Sequence, residues 1–570
     1  MPHLRLYRFA FAPALAALVV LAFSLEGVPE PVEPPPGTLE FDAAGAAKST
    51  RDILALGEER EPGSETDAAA ADLVAERFRT VVAGTVAEQT VDASVDDSTV
   101  ELRNVLLTLP GTSDQAIVVL ASRDSREGPG APSSAAATGV LLELVDGLSV
   151  AGRSRTLILA STSGGSAEAE GARALIEGLP ERTTVDAAVV ISQPGFDKPF
   201  GPHLVMSSAG HGPPVGLART AEEVLRDRAS LSPDRIGSLA QIARYAVPAA
   251  AGDQAALIDE GLDAVTLSSA GELALPPSET ERERLDTETL GRFGPALLAL
   301  ISALDSAPAK PAEGPGDFLW VGNNLVPGWS VAMVVLALLL PPAALGASLL
   351  ARARRKGESL GRALGWGVEW WLPAIVVCAG IYGLGLVGFI PGSGVPYDPA
   401  RYDLGPGEAA ALVLLGALAI WLWWVLGLRR VPPPPSAHAL GAAAGLLAVA
   451  ACLLVWIANP YLALVLLPLI HMVAILGARG RRPAGLALPA LAIAVIPLLA
   501  STLYVASALD WGGSSPWQLA VLVAGEGFEP LQVVSGFMVA ASVAGVLTAA
   551  LATARAPSRV KSRVVPPAGA

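Results

Sequence analysis

The fold of the first half of the chain is decided by the stretch Ala116-Ile117-Val118-Val119-Leu120-Ala121-Ser122-Arg123-Asp124-Ser125. Its first six residues are all apolar, which is typical of a strand that is buried on both faces of a sheet. Four other residues, all polar or charged, follow at once and are expected at the carboxyl end of that strand. In an open α/β sheet this is the edge at which loops gather and ligands bind. The stretch therefore predicts a buried strand that delivers polar side chains to a candidate site.

Outward from this stretch, helical and strand-like patterns alternate between residues 39 and 304. Periodic apolar positions predict helices at residues 67–82, 140–148 and 290–304. Short apolar runs predict strands at residues 104–109, 116–121, 156–161, 187–192 and 264–268. This alternation is typical of the α/β class, with a mixed or parallel sheet covered by helices.

The two halves of the chain differ in charge and in hydropathy. The 570 residues are 52% hydrophobic and 16% charged, with a mean hydropathy of +0.49, which is too apolar for an ordinary soluble protein. Residues 1–306 hold 23 basic and 44 acidic side chains, whereas residues 307–570 hold 16 and 10. The acidic half has no basic stripe that could neutralise phosphates, so nucleic-acid binding is disfavoured.

Eight apolar runs are close to the length of a membrane-spanning helix. The first, residues 9–25, is a signal anchor or a cleaved signal peptide, and we expect the anchor. The other seven are residues 329–350, 366–390, 409–428, 439–457, 461–478, 486–508 and 531–553. Because a helix satisfies its own backbone hydrogen bonds in lipid, these runs predict an all-α transmembrane bundle.

The two cysteines of the chain, Cys378 and Cys452, both lie in apolar runs of the second half. A disulfide framework and a cysteine-ligated zinc site in the first half are therefore excluded.

Basic residues lie at alternate connections between the apolar runs. Clusters at residues 5–8, 352–362, 429–430, 479–482 and 555–563 fall on one side if every run crosses, and the opposite connections contain Arg401 alone. By the positive-inside rule, both termini are expected in the cytoplasm and residues 39–306 outside it. We therefore expect a multi-pass protein of the cell membrane.

Changes in composition divide the chain into six parts. A proline- and glutamate-rich tether separates the first span from the α/β domain, and a basic tail closes the chain. The parts are an N-terminal signal anchor (1–27), the tether (28–38), the outward domain (39–306), a linker (307–328), a seven-helix transmembrane domain (329–554) and a cytoplasmic tail (555–570).

Short motifs follow one another along the outward domain. Arg60-Glu61-Pro62-Gly63-Ser64 precedes a helix, and Arg103-Asn104-Val105 leads to Leu109-Pro110-Gly111. Ser122-Arg123-Asp124-Ser125 ends the next strand, and residues 139–144 read Gly-Val-Leu-Leu-Glu-Leu. In this order and spacing, residues 52–304 resemble metallopeptidase family twenty-eight, the di-zinc aminopeptidases. The resemblance implies an aminopeptidase-like three-layer domain, a mixed sheet with helices on both faces.

An active member of that family holds two zinc ions through histidine and carboxylate ligands and uses a glutamate as general base. Residues 132–138, which match the stretch with the family's bridging aspartate, contain no carboxylate. The other degenerate metal or base positions are Ser122, Gly165, Ser166, Ser192 and Gln254. Because hydroxyl and amide groups bind zinc poorly, the resemblance here implies no metal, no other cofactor and no catalytic residue.

One residue of the family's metal-site motifs is retained. Asp124 orients a metal-bound histidine in the family, and here it is expected to cap or hydrogen-bond a loop. The loops of the former site are expected to converge on one outward cleft lined by small hydroxyl and amide groups. Candidate lining residues are Ser125, Ser133, Ser134, Gln193 and Asp253.

Two other functions stay open from the sequence. A membrane-bound metallopeptidase with a rebuilt site would have to use His203 and His211, with Glu168 and Glu170 nearby. A lipid-handling or transport protein would use the outward domain as an accessory, although charged residues within the spans are scarce. His471 and Glu369, the ionisable residues closest to the spans, are expected to be structural.

The complete architecture resembles the aminopeptidase-like subunit of glycosylphosphatidylinositol transamidase. The alanine-, glycine- and arginine-rich composition and the lack of Asn-x-Ser/Thr sequons favour a bacterial source. The sequence therefore predicts a membrane-anchored, catalytically inactive pseudopeptidase. Its expected partners are the lipid bilayer and a peptide, protein or lipid headgroup bound outside the cytoplasm, with no nucleic acid.

The charge asymmetry makes the topology testable. A reporter fused after Ala570 is expected in the cytoplasm, whereas protease added outside the cell should cleave the tether or the 39–306 domain. Exposure of the Arg429–Arg430 connection on the outer side, measured by labelling of a cysteine placed there, would contradict the eight-span topology.

Overall fold

The computed structural model describes the chain except for some terminal and connecting residues. These are residues 1, 38–39, 58, 96–97, 126–130, 151, 181–182, 196–211, 231–235, 270–285, 309, 311–316, 394–398, 400–401, 429–436, 480–483, 526 and 556–570. The described first half is a mixed α/β domain, and the second half is mainly helical.

The α/β domain follows an N-terminal helical segment made of α1 (Pro2–Phe9) and α2 (Ala12–Phe23), which leads into β1 (Glu26–Gly27). The strands of the domain are β2 (Thr85–Val95), β3 (Ser98–Leu109), β4 (Gln115–Ser122), β5 (Thr156–Thr162), β6 (Thr184–Ser192) and β7 (Ala264–Ser268). Its helices are α3 (Ala43–Leu56), α4 (Glu65–Arg79), α5 (Ala131–Val150), α6 (Glu170–Glu177), α7 (Val215–Ala229), α8 (Ser238–Ala246), α9 (Asp253–Asp259) and α10 (Thr287–Ser306).

The main sheet is mixed and has the strand order β2-β3-β5-β4-β6-β7. Strand β3 is antiparallel to both β2 and β5, whereas β5, β4, β6 and β7 are parallel to one another. Strand β4 therefore lies inside the sheet, as its apolar run predicts. The parallel strands end together at one edge, which we call the carboxyl edge.

Helices cover both faces of this sheet. Because successive side chains of a strand point to opposite faces, Ile117 and Val119 pack in one core with residues of α3, α5, α7 and α10. Val118 and Leu120 pack in a second core with residues of α6 and α9. All four side chains are fully buried, so β4 is the centre of a three-layer arrangement.

The motif at residues 60–64 makes the turn into α4. Gly63 has φ of +74°, and a Cβ there would lie 3.0 Å from the carbonyl oxygen of Glu101. Glycine is therefore required at this position for two reasons, its backbone conformation and the close approach of β3. The Ser64 hydroxyl then accepts a hydrogen bond from the backbone N–H of Asp67 and caps the helix.

A small sheet joins the α/β domain to the second half. Strands β8 (Phe318–Val321) and β9 (Asn324–Pro327) form a hairpin, and β1 pairs with β9. The backbone N–H of Val32 also donates to the Thr220 hydroxyl, 3.0 Å away. The stretches expected as tether and linker therefore contain ordered contacts with the domain.

The second half is a set of apolar helices. They are α11 (Gly328–Arg355), α12 (Leu360–Glu369), α13 (Trp371–Leu386), α14 (Pro406–Leu428), α15 (Ala437–Ala458), α16 (Pro460–Arg479), α17 (Ala484–Ala508), α18 (Ser515–Ala524) and α19 (Pro530–Arg555). Within the described residues, seven segments are long and apolar enough to cross a membrane. They are Arg5–Phe23, Gly328–Arg355, Gly361–Leu386, Pro406–Leu426, Ala439–Ala458, Pro460–Ala478 and Ala487–Ala508. The part Pro530–Gly545 of α19 is a shorter apolar segment.

The N-terminal helical segment is held against this bundle by a histidine. His471 Nε2 faces the Leu338 carbonyl at 2.9 Å, and because a carbonyl can only accept, Nε2 carries the proton. Nδ1 therefore accepts from the Tyr7 hydroxyl at 2.7 Å, and the Phe11 ring stacks on the imidazole. His471 has the structural role that its position near the end of a span predicts.

The α/β domain rests on the bundle through α8. The Asn459 side chain donates to the backbone carbonyl of Tyr245 at 2.8 Å, and the Tyr245 ring stacks on Tyr461 with centroids 4.6 Å apart. Tyr245, Val247 and Ala251 share one apolar core with residues of the bundle. Burial of this apolar surface holds the α/β domain against the helical second half of the chain.

The five predicted strands lie within β3 to β7, and the three predicted helices overlap α4, α5 and α10. Strand β2 was missed because its side chains are mostly polar and exposed, and it is held by backbone pairing with β3. The run 366–390, expected as one helix, is interrupted at Trp370. Pro373 lacks a backbone N–H, and in a continuous helix its ring would clash with the carbonyl of Glu369, four residues earlier. Helix α12 ends at Glu369.

A buried ion pair ties the end of the domain to the sheet. Arg155 contacts Asp186 at 2.8 Å, and both side chains are at least 96% buried. The Arg155 guanidinium also donates to the carbonyls of Leu304, Asp305 and Ala307. The pair therefore holds the last turn of α10 in place.

Removal of this pair's carboxylate should destabilise the domain. We expect Asp186→Ala to lower the free energy of unfolding by about 3–5 kcal/mol, because it leaves a buried guanidinium without its counter-charge. The exposed pair Arg77–Asp146 provides the control, and Asp146→Ala should cost at most about 1 kcal/mol. Thermal unfolding of the full chain in detergent compares the two variants, and equal losses would contradict this role of Arg155.

Candidate functional site

The candidate site lies at the carboxyl edge of the sheet. Ser122 is the last residue of β4 and pairs in register with Thr162, the last residue of β5. Ser192 ends β6 and pairs with Ser268 at the end of β7. The parallel strands thus place hydroxyl side chains in a row, at the edge where the sequence predicts the site.

Ser122 is joined to the start of α9 by a short hydrogen bond. Its Oγ donates to Oδ2 of Asp253 at 2.6 Å and lies 3.0 Å from the hydroxyl of Thr162. Asp253 is 91% buried, and its Oδ1 atom has no hydrogen-bond partner in the described part of the chain. The hydroxyl that replaces the family's first histidine therefore takes part in a hydrogen-bond chain across the strand ends.

Asp124 binds the loop that follows β5. Its Oδ1 accepts from the backbone N–H of Gly165 at 2.9 Å, and its Oδ2 accepts from the N–H and the hydroxyl of Ser166 at 2.8 and 2.7 Å. The aspartate therefore orders the loop that follows β5. Three hydrogen bonds to one buried carboxylate make this a strong attachment.

Residues 163–169, between β5 and α6, are called the 163–169 loop below. Asn104, from the Arg-Asn-Val motif, holds both of its ends: its side chain donates to the carbonyl of Gly171 at 2.8 Å and accepts from the N–H of Ser163 at 3.2 Å. The Ser163 hydroxyl donates to Asp67 at 2.6 Å. The loop is therefore anchored along its length by the domain.

Gly165 lies directly against Ser122. A Cβ built on Gly165 would be 2.4 Å from Ser122 Oγ and 2.5 Å from Ser122 Cβ. A side chain at position 165, such as the glutamate that the sequence resemblance would imply, cannot be accommodated without moving the loop or the strand end. The backbone of the loop thus takes up the space beside the first former ligand position.

The residues present do not fit a di-zinc centre. The side chains brought together around Ser122 are hydroxyls and two aspartates, and serine and threonine are poor zinc donors. Among the described ranges, no group of three or more His, Cys, Asp or Glu side chains is placed to hold a metal ion. Two observations thus argue against a di-zinc site in the described residues. The backbone of Gly165 occupies the space beside Ser122, and the side chains around Ser122 are mainly hydroxyls.

Two buried arginines, Arg123 and Arg60, support the loops of the carboxyl edge. Arg123 is fully buried and forms an ion pair of 2.8 Å with Asp67. Arg60 donates to the carbonyl of Arg123 at 3.0 Å and to the hydroxyl of Ser134 at 2.8 Å. Burial lowers the pKa of Arg60 to about 10, although Asp124 and Asp67 oppose this shift. These arginines make the motif positions 60 and 123 structural.

The other predicted site residues are distributed around this centre. Gln254 is buried and its Oε1 accepts from the N–H of Thr266 at 2.6 Å, so it braces β7. Gln193 has φ of +47°, and its carbonyl accepts from Ser269. Ser133 is buried in the first turns of α5, and the backbone N–H of Ser125 donates to the Arg60 carbonyl. Only part of the expected set therefore surrounds Ser122.

Of the residues considered for a rebuilt metal site, the two glutamates make other contacts in the described structure. Glu170 forms an ion pair with Arg173 at 2.8 Å on the surface of α6. Glu168 accepts hydrogen bonds from Ser393 and Tyr402 of the membrane half. His203 and His211 lie outside the described residues.

Sequence reasoning missed two features of the site. Thr162 was not among the expected site residues, although a hydroxyl directly after the apolar run 157–160 is a signal. Asp253 was named only as a lining residue, whereas it is the acceptor of the Ser122 hydroxyl. The first contact depends on the pairing of two strand ends 40 residues apart, and the second on the packing of the start of α9 against a strand end 131 residues away in sequence.

Burial sets the electrostatics of this centre. Burial raises the pKa of Asp253 to about 6, the hydrogen bond from Ser122 lowers it, and the negative charge of Asp124 raises it. An unperturbed aspartate has a pKa of about 3.9. Between these values the folded protein therefore holds a proton that the unfolded chain releases.

This shift predicts the pH dependence of stability. The free energy of unfolding should fall as pH rises from about 4 to about 6.5, since the raised pKa favours the folded state only while Asp253 is protonated. Asp253→Asn cannot titrate and keeps an acceptor for Ser122, so its melting temperature should fall less over this range. The control Asp114→Asn, at an exposed carboxylate, should follow the wild type. Parallel curves for wild type and Asp253→Asn would contradict the assignment.

Comparison with known proteins gives distant matches only. No family model and no curated protein matches the chain. Among solved structures, it is similar to glutaminyl cyclase of Porphyromonas gingivalis at 14% identity and a TM-score of 0.35, covering 46% of this chain and 99% of that one. A Zn-dependent exopeptidase from Parabacteroides distasonis gives 13% identity and a TM-score of 0.38, covering 47% of this chain and 99% of that one.

A leucine aminopeptidase precursor from Bacteroides thetaiotaomicron gives 14% identity and a TM-score of 0.36, covering 47% of this chain and 98% of that one. These proteins are what the chain is similar to. At such identities and TM-scores the likeness carries no conclusion about activity, ligands or partners.

Proposed function

We propose that this chain is a membrane-anchored, catalytically inactive aminopeptidase-like protein that binds a peptide, protein or lipid partner outside the cytoplasm. The proposal rests on the motif resemblance of residues 52–304, on the apolar helices of the second half and on the geometry around Ser122. It places residues 39–306 outside the cell membrane and both termini in the cytoplasm, as the distribution of basic residues indicates.

One observation carries the inactive part of the proposal. The backbone of Gly165 lies against Ser122 where the resemblance expects the general base and a metal ligand. The nearby acidic groups, Asp124 and Asp253, accept hydrogen bonds from the loop and from Ser122. Both carboxylates are therefore engaged by the protein itself, and no histidine or cysteine in the described residues lies beside Ser122 to activate it as a nucleophile.

The binding part of the proposal is supported by what remains at the carboxyl edge. Serine, threonine and glutamine side chains lie at the strand ends, and such groups recognise peptides and headgroups through hydrogen bonds. A domain that keeps its scaffold after losing its chemistry retains these strand-end loops. The similarity to a transamidase subunit concerns the order of the parts and names no substrate.

Metal content and turnover test the inactive part. The full chain, purified in detergent and equilibrated with zinc, should retain well under one equivalent after desalting and show no aminopeptidase turnover above background. An active zinc aminopeptidase carried through the same steps is the control. Stoichiometric zinc together with chelator-sensitive turnover would contradict the proposal and return attention to His203 and His211.

Crosslinking of the full chain in native membranes tests the binding part. A photo-crosslinking residue at Ser192, which is partly exposed at the carboxyl edge, should give a discrete adduct in native membranes. The matched control is the same residue at Asp114, just before β4 at the opposite end of the strand. Identical adduct patterns at both positions would show that the carboxyl edge has no special role in binding.

A further inference from the structure

The 163–169 loop contacts both halves of the molecule. Its middle is held by Asp124 and lies against Ser122, which is partly exposed. Its far end carries Glu168, whose Oε1 accepts from the Ser393 hydroxyl at 3.0 Å and also from the Tyr402 hydroxyl. Both donors belong to the connection between α13 and α14. The loop over the former site is therefore attached to the membrane half.

The donors on the membrane side are themselves fixed. The indole N–H of Trp517, in α18, donates to the backbone carbonyl of Tyr402 at 2.7 Å. Trp517 and Ser393 are almost completely buried, and the Ser393 N–H points to the carbonyl of Val521. Helix α18 thus positions the two hydroxyls that Glu168 binds.

The backbone at Glu168 is unfavourable without such contacts. Glu168 and Ala169 both adopt the left-handed conformation, with φ of +57° and +56°. L-residues with a side chain rarely adopt it, and two in succession are rarer still. Strain of this kind persists only where the surroundings hold it, and here the surroundings include the bundle.

The two contacts between domain and bundle differ in character. The contact at α8 is apolar and buried around Tyr245 and Asn459, so it is costly to open. The contact at Glu168 is polar, and the glutamate is only partly buried. Hydrogen bonds to a charged group that water can reach are replaced by water more readily. Of the two contacts between domain and bundle, the one at Glu168 is therefore the easier to open.

We infer that the 163–169 loop is a strap that closes the former site and is latched by Glu168 to Ser393 and Tyr402. With the latch closed, the backbone of Gly165 lies against Ser122 and limits access to it. With the latch released, the strained backbone relaxes and the strand end becomes more accessible. The inference rests on the proposed function, since it names the step that regulates ligand access to the same edge.

Thiol labelling measures this opening without a partner. Ser122→Cys is introduced in a background that carries Cys378→Ala and Cys452→Ala, two buried positions, and is reacted with a membrane-impermeant maleimide. Glu168→Ala should raise the labelling rate about tenfold, as expected for loss of one or two charge-assisted hydrogen bonds. Tyr402→Phe removes a single hydroxyl and should raise the rate in the same direction.

The control is Glu170→Ala, which removes a surface ion pair two residues away and should leave the rate unchanged. Unchanged labelling in both Glu168→Ala and Tyr402→Phe, with normal melting temperatures, would overturn the latch. If Glu168→Ala does not fold, Tyr402→Phe alone decides. The labelling result is independent of zinc content and turnover, so failure of the latch and failure of the proposed function are distinguishable.

Discussion

The attachment of the 163–169 loop to Asp124 is the interaction on which the rest of the site depends. Asp124 is placed by the end of β4, the central strand, and its carboxylate holds two successive residues of the loop. The loop in turn lies on Ser122 and reaches the membrane half through Glu168. One aspartate at the end of the central strand thus organises the surroundings of the candidate site.

This arrangement has a physical logic. A buried carboxylate must be paired or hydrogen-bonded, because its desolvation is otherwise too costly. For Asp124, the backbone N–H groups of Gly165 and Ser166 meet that requirement, and a glycine is needed at 165 for the loop to come close enough. These contacts explain a buried aspartate at position 124 without any metal.

The α/β domain and the helical half act as one structural unit in the described residues. Tyr245 and neighbouring residues contribute to the same apolar core as residues of α13, α15 and α16. At the other contact, Glu168 binds hydroxyl groups of the connection that follows α13. The carboxyl edge therefore lies on the side of the domain that contacts the helical half. A partner that reaches this edge must approach it beside the helices.

The sequence by itself determined the positions of the five buried strands β3 to β7, the apolar helices and the residue types at positions 122, 165, 166, 192 and 254. These are local properties, since apolar runs and residue identities are read along the chain without knowledge of its path. Only the tertiary structure decided that Ser122 bonds to Asp253, that Gln254 braces β7, and that Gly165 closes on Ser122. Strand pairing and helix packing bring the residues of those contacts together. Local sequence patterns do not reveal which distant residues will be neighbours, because that depends on the path of the whole chain.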